Sequence, residues 1–218
     1  MYKKIITVVF FLSKLTLMNA QHHHGKANTY MNQSDFDKLV QRFENSERDS
    51  WQKPEKVLAF MGDMKEKTVV DIGAGTGYFA FRLASVAKNI IAADVDERFS
   101  VYIQNKNKEK QFSNISTRKA EYEKPPIQDA EADVVLMVNV YHHIEHRGVY
   151  FKELLEKLKS DGELVIIDFK KGDLPQGPPN KMKLSEKQVV KELKKIGFQV
   201  DKIDTETLPY QYMIKVKK

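Results

Sequence analysis

The sequence predicts a doubly wound α/β sheet with a helical segment in front of it. Short apolar runs recur from residue 68 onward, with helical patterns between most of them. Such alternation implies helices layered on a sheet. The runs are nearly continuous in apolar residues, as for parallel strands covered on both faces. The first run turns into a helix through "DIGAGTGY", with three glycines in five positions. That spacing suits a sharp strand-to-helix turn with a ligand against it.

In chain order, residues 1–20 read as an export leader. Two lysines precede the apolar stretch Ile5–Leu12, and Ala20 suits a cleavage site, although Lys14 and Met18 are atypical there. The stretch falls short of the roughly 20 residues of a membrane span. The expected location is therefore exported, with the cytoplasm as the alternative if the leader reading fails. Residues 21–33, carrying His22, His23 and His24, are polar and expected to be loosely ordered.

Residues 34–66 form the predicted helical cap. Ser34 is the expected N-cap of a first helix, with Phe36, Leu39, Val40 and Phe43 at helical spacing. Pro54 starts a second, with Val57, Leu58 and Met61 on its apolar face and Gly62 near its end.

Residues 67–218 form the α/β domain. Strands are expected at 68–71, 89–94, 115–118, 133–138 and 164–168, and helices at 78–87, 97–110 and 149–159. "FKKGDLPQGPPNKMK" is too long for a simple connection and suits a lid. A helix over 185–196 stops at Gly197, and two strands around Leu208–Pro209 close the pattern with an antiparallel edge.

Composition narrows the chemistry. With 41% hydrophobic and 30% charged residues, the chain is an ordinary globular one. The absence of cysteine excludes disulfides, thiolate metal sites and a cysteine nucleophile. Of the net charge of +6, Lys3, Lys4 and Lys14 supply half, since the first twenty residues hold no acid. The remaining +3, without basic clusters interleaved with aromatics, disfavours a nucleic-acid partner.

Ligands of such sheets sit beyond the carboxyl ends of the strands, where the strand order switches. Gly73, Gly75 and Gly77 are expected to line that crevice. A dinucleotide site needs G-x-G-x-x-G, and Tyr78 stands where its last glycine falls. Asp71, two residues before the turn, is awkward beside a pyrophosphate but useful beside a cationic amino group. Asp94 ends the second strand about 20 residues on, where an acid takes a ribose hydroxyl pair. Ribose plus a cationic amino-acid tail, without phosphates, describes S-adenosylmethionine.

Four segments in order, "VVDIGAGTGYFAFRLA", "IIAADVDERF", "ADVVLMVNVYHHI" and "LKSDGELVIIDF", resemble class I S-adenosylmethionine-dependent methyltransferases over about Thr68 to Asp168. The resemblance implies a Rossmann-like seven-stranded sheet with an antiparallel last strand, and S-adenosyl-L-methionine as methyl donor. It implies that Asp71, Gly73, Ala74 and Gly75 hold the methionine end, and that Asp94 binds the ribose hydroxyls. Val95 would pack on the adenine, Glu121 would accept its amino group, and Tyr122 would supply a backbone donor. Asn139 would close over the methyl-donor side through its backbone carbonyl. The plainer alternatives are that Asp94 caps the next helix and that Glu121 is a solvated loop acid.

Methyl transfer is an in-line displacement, so alignment comes first and a base is needed only if the acceptor must lose a proton. His142 and His143 are the candidates for that proton, with packing under the next helix as the alternative. No resident metal is expected; a site joining His22–His24 to this pair is the weaker reading. Asp168 is expected at the cleft rim, with Tyr30 and Trp51 as aromatic walls, or Trp51 as core between the two N-terminal helices. Asn139-Val140-Tyr141 departs from the Asn/Asp-Pro-Pro-aromatic signature of base-amino and glutamine methyltransferases, and arsenite methylation would need thiolates. The expected acceptor is a small molecule. The alternatives are a protein side chain, a cofactor-binding protein without catalysis, and a nucleotide-dependent oxidoreductase, against which Tyr78 and Asp71 both argue.

Overall fold

The computed structural model describes residues 35–218. The expected leader, His22–His24, Tyr30 and the expected cap Ser34 lie outside the described residues. Seven strands form one sheet: β1 (Thr68–Ile72), β2 (Asn89–Asp94), β3 (Ile115–Lys119), β4 (Val134–Val138), β5 (Glu163–Phe169), β6 (Gln199–Asp204) and β7 (Gln211–Lys217). Their order is β3-β2-β1-β4-β5-β7-β6. The first five are parallel, and β7 runs antiparallel between β5 and β6.

The predicted sheet is therefore found, with boundaries moved by one residue at most. Every residue of β4 and β5 is buried, which is why those segments lack polar alternation. The outer strand β6 is mostly exposed and carries an irregularity between Val200 and Lys202 beside charged side chains. Bulges and charges of this kind blunt an edge against further pairing.

Neighbouring residues of a strand face opposite sides. Val69 joins one core with Val57 and Phe60 of α3 (Pro54–Met61), Leu83 of α4 (Tyr78–Leu83) and Ile103 of α5 (Glu97–Lys110). Val70 and Ile72 join the other, with Leu154 of α6 (Arg147–Lys157) and Leu193 of α7 (Glu186–Ile196). Ser185 caps α7 by accepting from the Gln188 amide at 3.2 Å, and Gly197 ends it.

Three helices differ from expectation, α6 only by lying two residues earlier than the 149–159 expected. The first cap helix is broken into α1 (Phe36–Phe43) and α2 (Arg48–Gln52). Asn45 turns the chain between them, its side-chain oxygen accepting from the Glu47 amide at 2.9 Å. Lys53, at φ 44°, separates α2 from α3, because the residue before a proline is kept out of the helical region. The N-cap of α1 is Asp35, which accepts from the Asp37 amide. Helix α4 stops at Leu83 rather than running to Ala87, and Asn114 donates to the freed carbonyls of Ala84 and Ala87 at 2.9 and 3.0 Å.

Candidate active site

Strand order reverses between β1 and β4, so their carboxyl ends open a crevice there. The turn after β1 lines it. Gly73, Gly75 and Gly77 have φ of 72°, 54° and 77°, a region unfavourable for other residues. The amides of Gly73 and Ala74 both donate to the Ala93 carbonyl, at 2.7 and 3.1 Å, folding the turn back on β2. A Cβ on Gly73 would stand 2.3 Å from Cγ2 of Val140, the second residue beyond β4. Glycine is thus what lets the two strand ends touch.

Asp94 is buried at the end of β2, and its Oδ2 accepts from the Gly75 amide at 2.9 Å. Its Oδ1 accepts from the Asp96 amide at 3.0 Å. The cap of α5 is Asp96, whose side chain accepts from the Arg98 amide, so the capping alternative for Asp94 is set aside. Asp71 is also buried. Burial, and then repulsion from Asp94, push its carboxyl up to about 7, against the opposing pull of the Arg48 guanidinium. Burial raises Asp94 as well.

The remaining expected residues surround this turn unevenly. Val95 is half-buried beside Asp94. Glu121 is exposed just past β3, whose last residue, Lys119, is in register with Asp94, and Tyr122 is half-buried. Arg118 grips Glu131 with both terminal nitrogens at 2.7 Å and so braces the loop that holds them. Asn139 follows β4 with φ at 60° and donates its amide to Ile167 at 2.8 Å.

At the ends of β4 and β5, Nδ1 of His142 lies 2.9 Å from both carboxylate oxygens of Asp168, and both side chains are 3% exposed. Asp168 also accepts the amides of His142 and Phe169, at 3.2 and 2.8 Å. A carboxylate held this way fixes the Nδ1–H tautomer and leaves Nε2 with its lone pair. The His143 ring lies 4.2 Å from that of His142, and burial, with repulsion from His142, drops its pKa to about 4. No cluster of three or more His, Cys, Asp or Glu suited to a metal occurs among the described residues.

The cap is tied to the same turn. Phe43 lies against Gly75 and stacks on Phe99 of α5 at 5.7 Å, and Phe36 meets Phe99 at 5.1 Å. The Tyr78 ring sits between the guanidiniums of Arg48 and Arg82, 3.7 and 3.8 Å from its centroid, and its hydroxyl donates to Asp49. Trp51 is not core between the N-terminal helices. It faces Phe169 at 6.0 Å and Tyr210 at 6.2 Å, at the cleft rim. The Pro/Gly-rich segment reaches the same rim, since a Cβ on Gly177 would stand 2.6 Å from the Phe169 ring.

Sequence reasoning missed the polar groups joining cap and sheet. Arg48, Gln52 and Gln211 form a hydrogen-bonded chain ending at Asn139. Nothing local in the sequence marks a pair separated by 159 residues.

These residues fit S-adenosylmethionine. Two carboxylates lie buried on adjacent strands, both raised by burial and Asp71 further by repulsion from Asp94; an ammonium beside Asp71 and a hydroxyl pair beside Asp94 would answer both. The comparisons agree. Residues 70–166 match the family described as "Methyltransferase domain". A crystal structure of an S-adenosylmethionine-dependent methyltransferase from Aquifex aeolicus is 27% identical with a TM-score of 0.77, covering 84% of this chain and 98% of that one. A "Probable S-adenosylmethionine-dependent methyltransferase" of Mycolicibacterium smegmatis is 26% identical over 62% of this chain and 53% of its own length. A tRNA U34 carboxymethyltransferase of Cellvibrio japonicus is 28% identical over 60% of this chain and 42% of its own.

Fold and site together define a class I S-adenosylmethionine-dependent methyltransferase domain. More particularly, the chain carries the domain described for residues 70–166, behind a helical cap, and spans about half the length of the curated relatives it matches.

Proposed function

We propose that the chain transfers the methyl group of S-adenosyl-L-methionine to a small-molecule acceptor. The observation that carries the reading is the buried Asp94 carboxylate, held against the Gly75 amide on the glycine turn. When bound, the cofactor supplies an electrophilic methyl group on a sulfonium. Asp71, Gly73, Ala74, Gly75 and Gly77 cradle its amino-acid end, Asp94 takes the ribose hydroxyls, and Val95, Glu121 and Tyr122 meet the adenine. Asn139 borders the methyl group.

Of the two histidines, His142 is the proposed base. Asp168 orients it, and the carboxylate stabilises the imidazolium that forms when Nε2 takes the acceptor's proton. His143, with its pKa near 4, stays neutral and supports the ring of its neighbour. The weak positive charge beyond the leader favours a small molecule over a nucleic acid.

The test is calorimetric titration of the protein with S-adenosylmethionine and S-adenosylhomocysteine, beside Asp94→Ala. Saturable binding, lost in the variant, is the expected result, followed by transfer of a labelled methyl group in an acceptor screen. A folded protein that takes up neither compound overturns the reading. We infer also that residues 1–20 direct export, on the lysines and apolar stretch of that segment. Intact mass of the mature protein checks this, with loss of residues 1–20 expected.

A further inference from the structure

Four side chains join the cap to the candidate site. Arg48 Nε donates to Gln52 Oε1 at 2.9 Å, Gln52 Nε2 to Gln211 Oε1 at 2.7 Å, and Gln211 Nε2 to Asn139 Oδ1 at 2.5 Å. Gln52 and Gln211 are wholly buried. A guanidinium can only donate, so the charged end fixes the direction of every amide after it. Each glutamine spends its oxygen toward the cap and its nitrogen toward β4.

Asn139 receives this chain at a backbone conformation that disfavours a non-glycine residue, with φ at 60°. Such a residue holds its place only while its surroundings over-determine it. On the main chain it is held by the bond to Ile167, and on the side chain by Gln211. At the far end, Arg48 is stacked on Tyr78, the first residue after the glycine turn, and bonds the Phe43 carbonyl at 3.0 Å. The ring of Phe43 itself lies on Gly75. Both ends of the chain thus rest on the crevice, one through the cap and one through the sheet.

We propose that Gln52 and Gln211 are positioning residues that orient Asn139 and couple seating of the cap to occupancy of the cofactor site. The inference rests on the function proposed above, which places the cofactor between the glycine turn and Asn139. An amide relay of this kind has two arrangements, joined or broken, and therefore links its ends as a two-state element. Breaking it once breaks it entirely.

Trp51, the chain's single tryptophan, precedes Gln52 and packs at the rim on Phe169 and Tyr210, so its fluorescence reports the cap. The experiment titrates S-adenosylhomocysteine into the full chain and into Gln52→Met, Gln211→Met and the double variant, reading Kd by calorimetry and Trp51 emission in parallel. The wild type is expected to bind with a change in Trp51 emission. Each single variant should bind about tenfold more weakly, the double variant no more weakly than either single, and the emission change should vanish in all three. Unaltered Kd and unaltered emission response, even with lowered thermal stability, overturn the inference and leave the cofactor reading intact. Failure of the wild type to bind overturns the cofactor reading itself. Should Gln211→Met not fold, Gln52→Met cuts the same relay outside the sheet and decides alone.

Discussion

The phenol of Tyr78 donates to the carboxylate of Asp49, which fastens the helix after the glycine turn to α2 of the cap. Dinucleotide sites keep a glycine at the position of Tyr78 so that helix and strand can close up. Here a large ring fills it, gripped by two guanidiniums. Tyr78→Phe keeps the ring and loses the hydrogen bond, so unfolding free energy in urea should fall by about 1 kcal/mol. Tyr78→Gly removes the whole clasp and should cost about 3–5 kcal/mol, with no gain of nicotinamide-dinucleotide binding by calorimetry.

Gly73 is the tightest position of the turn. Gly73→Ala adds a methyl group that collides with Val140 at a φ of 72°. The expected loss is about 3 kcal/mol of stability, on the scale of overpacking plus backbone strain, together with loss of cofactor binding. Gly148 in α6 has open space around it and no positive φ. Gly148→Ala should leave binding unchanged and stabilise by up to about 1 kcal/mol, as read from thermal melts.

In the proposed cofactor cradle, Asp71 should give affinity a pH dependence. Its folded pKa, about 7, lies above the ordinary 3.8. The folded protein therefore holds a proton that the unfolded chain has lost, and this group's stabilising contribution, full below pH 3.8, disappears as pH rises through 7. An ammonium pairs only with the carboxylate form. Affinity for S-adenosylhomocysteine should accordingly rise between pH 6 and 8, about tenfold at most, and Asp71→Asn should flatten the profile while lowering affinity.

His143 acts in the opposite direction. Its pKa is depressed from 6.5 to about 4, so the unfolded chain takes up a proton first as pH falls. Its contribution is present above pH 6.5 and is lost on the way down to 4. Between pH 7 and pH 5 this amounts to about 2 kcal/mol. Urea unfolding of His143→Gln at the two pH values should show a loss on acidification smaller by about that amount.

The sheet was legible in the sequence because its strands are buried on both faces and its turns are marked by glycine and acid. The crevice was legible for the same reason, since Asp71, the glycines and Asp94 sit at fixed offsets along one stretch of chain. The cap was less so. Phe36 and Phe43 announced a helix, but the break at Asn45 depends on a local side-chain turn, and the role of Trp51 depends on strands far along the sequence. The relay through Gln52 and Gln211 was invisible, because an uncharged amide in an apolar pattern carries no sign of its partner until the strands are laid side by side.

Strand β7 comes last in chain order, yet it lies inside the sheet between β5 and β6 and carries Gln211. A ribosome delivers it after the glycine turn, Asp94, Asn139 and the His142–Asp168 pair have all emerged. Until then Asn139 lacks its side-chain partner and the cap lacks its buried anchor. A nascent polypeptide therefore presents the glycine turn, Asp94 and Asn139 before the strand that aligns Asn139 has emerged.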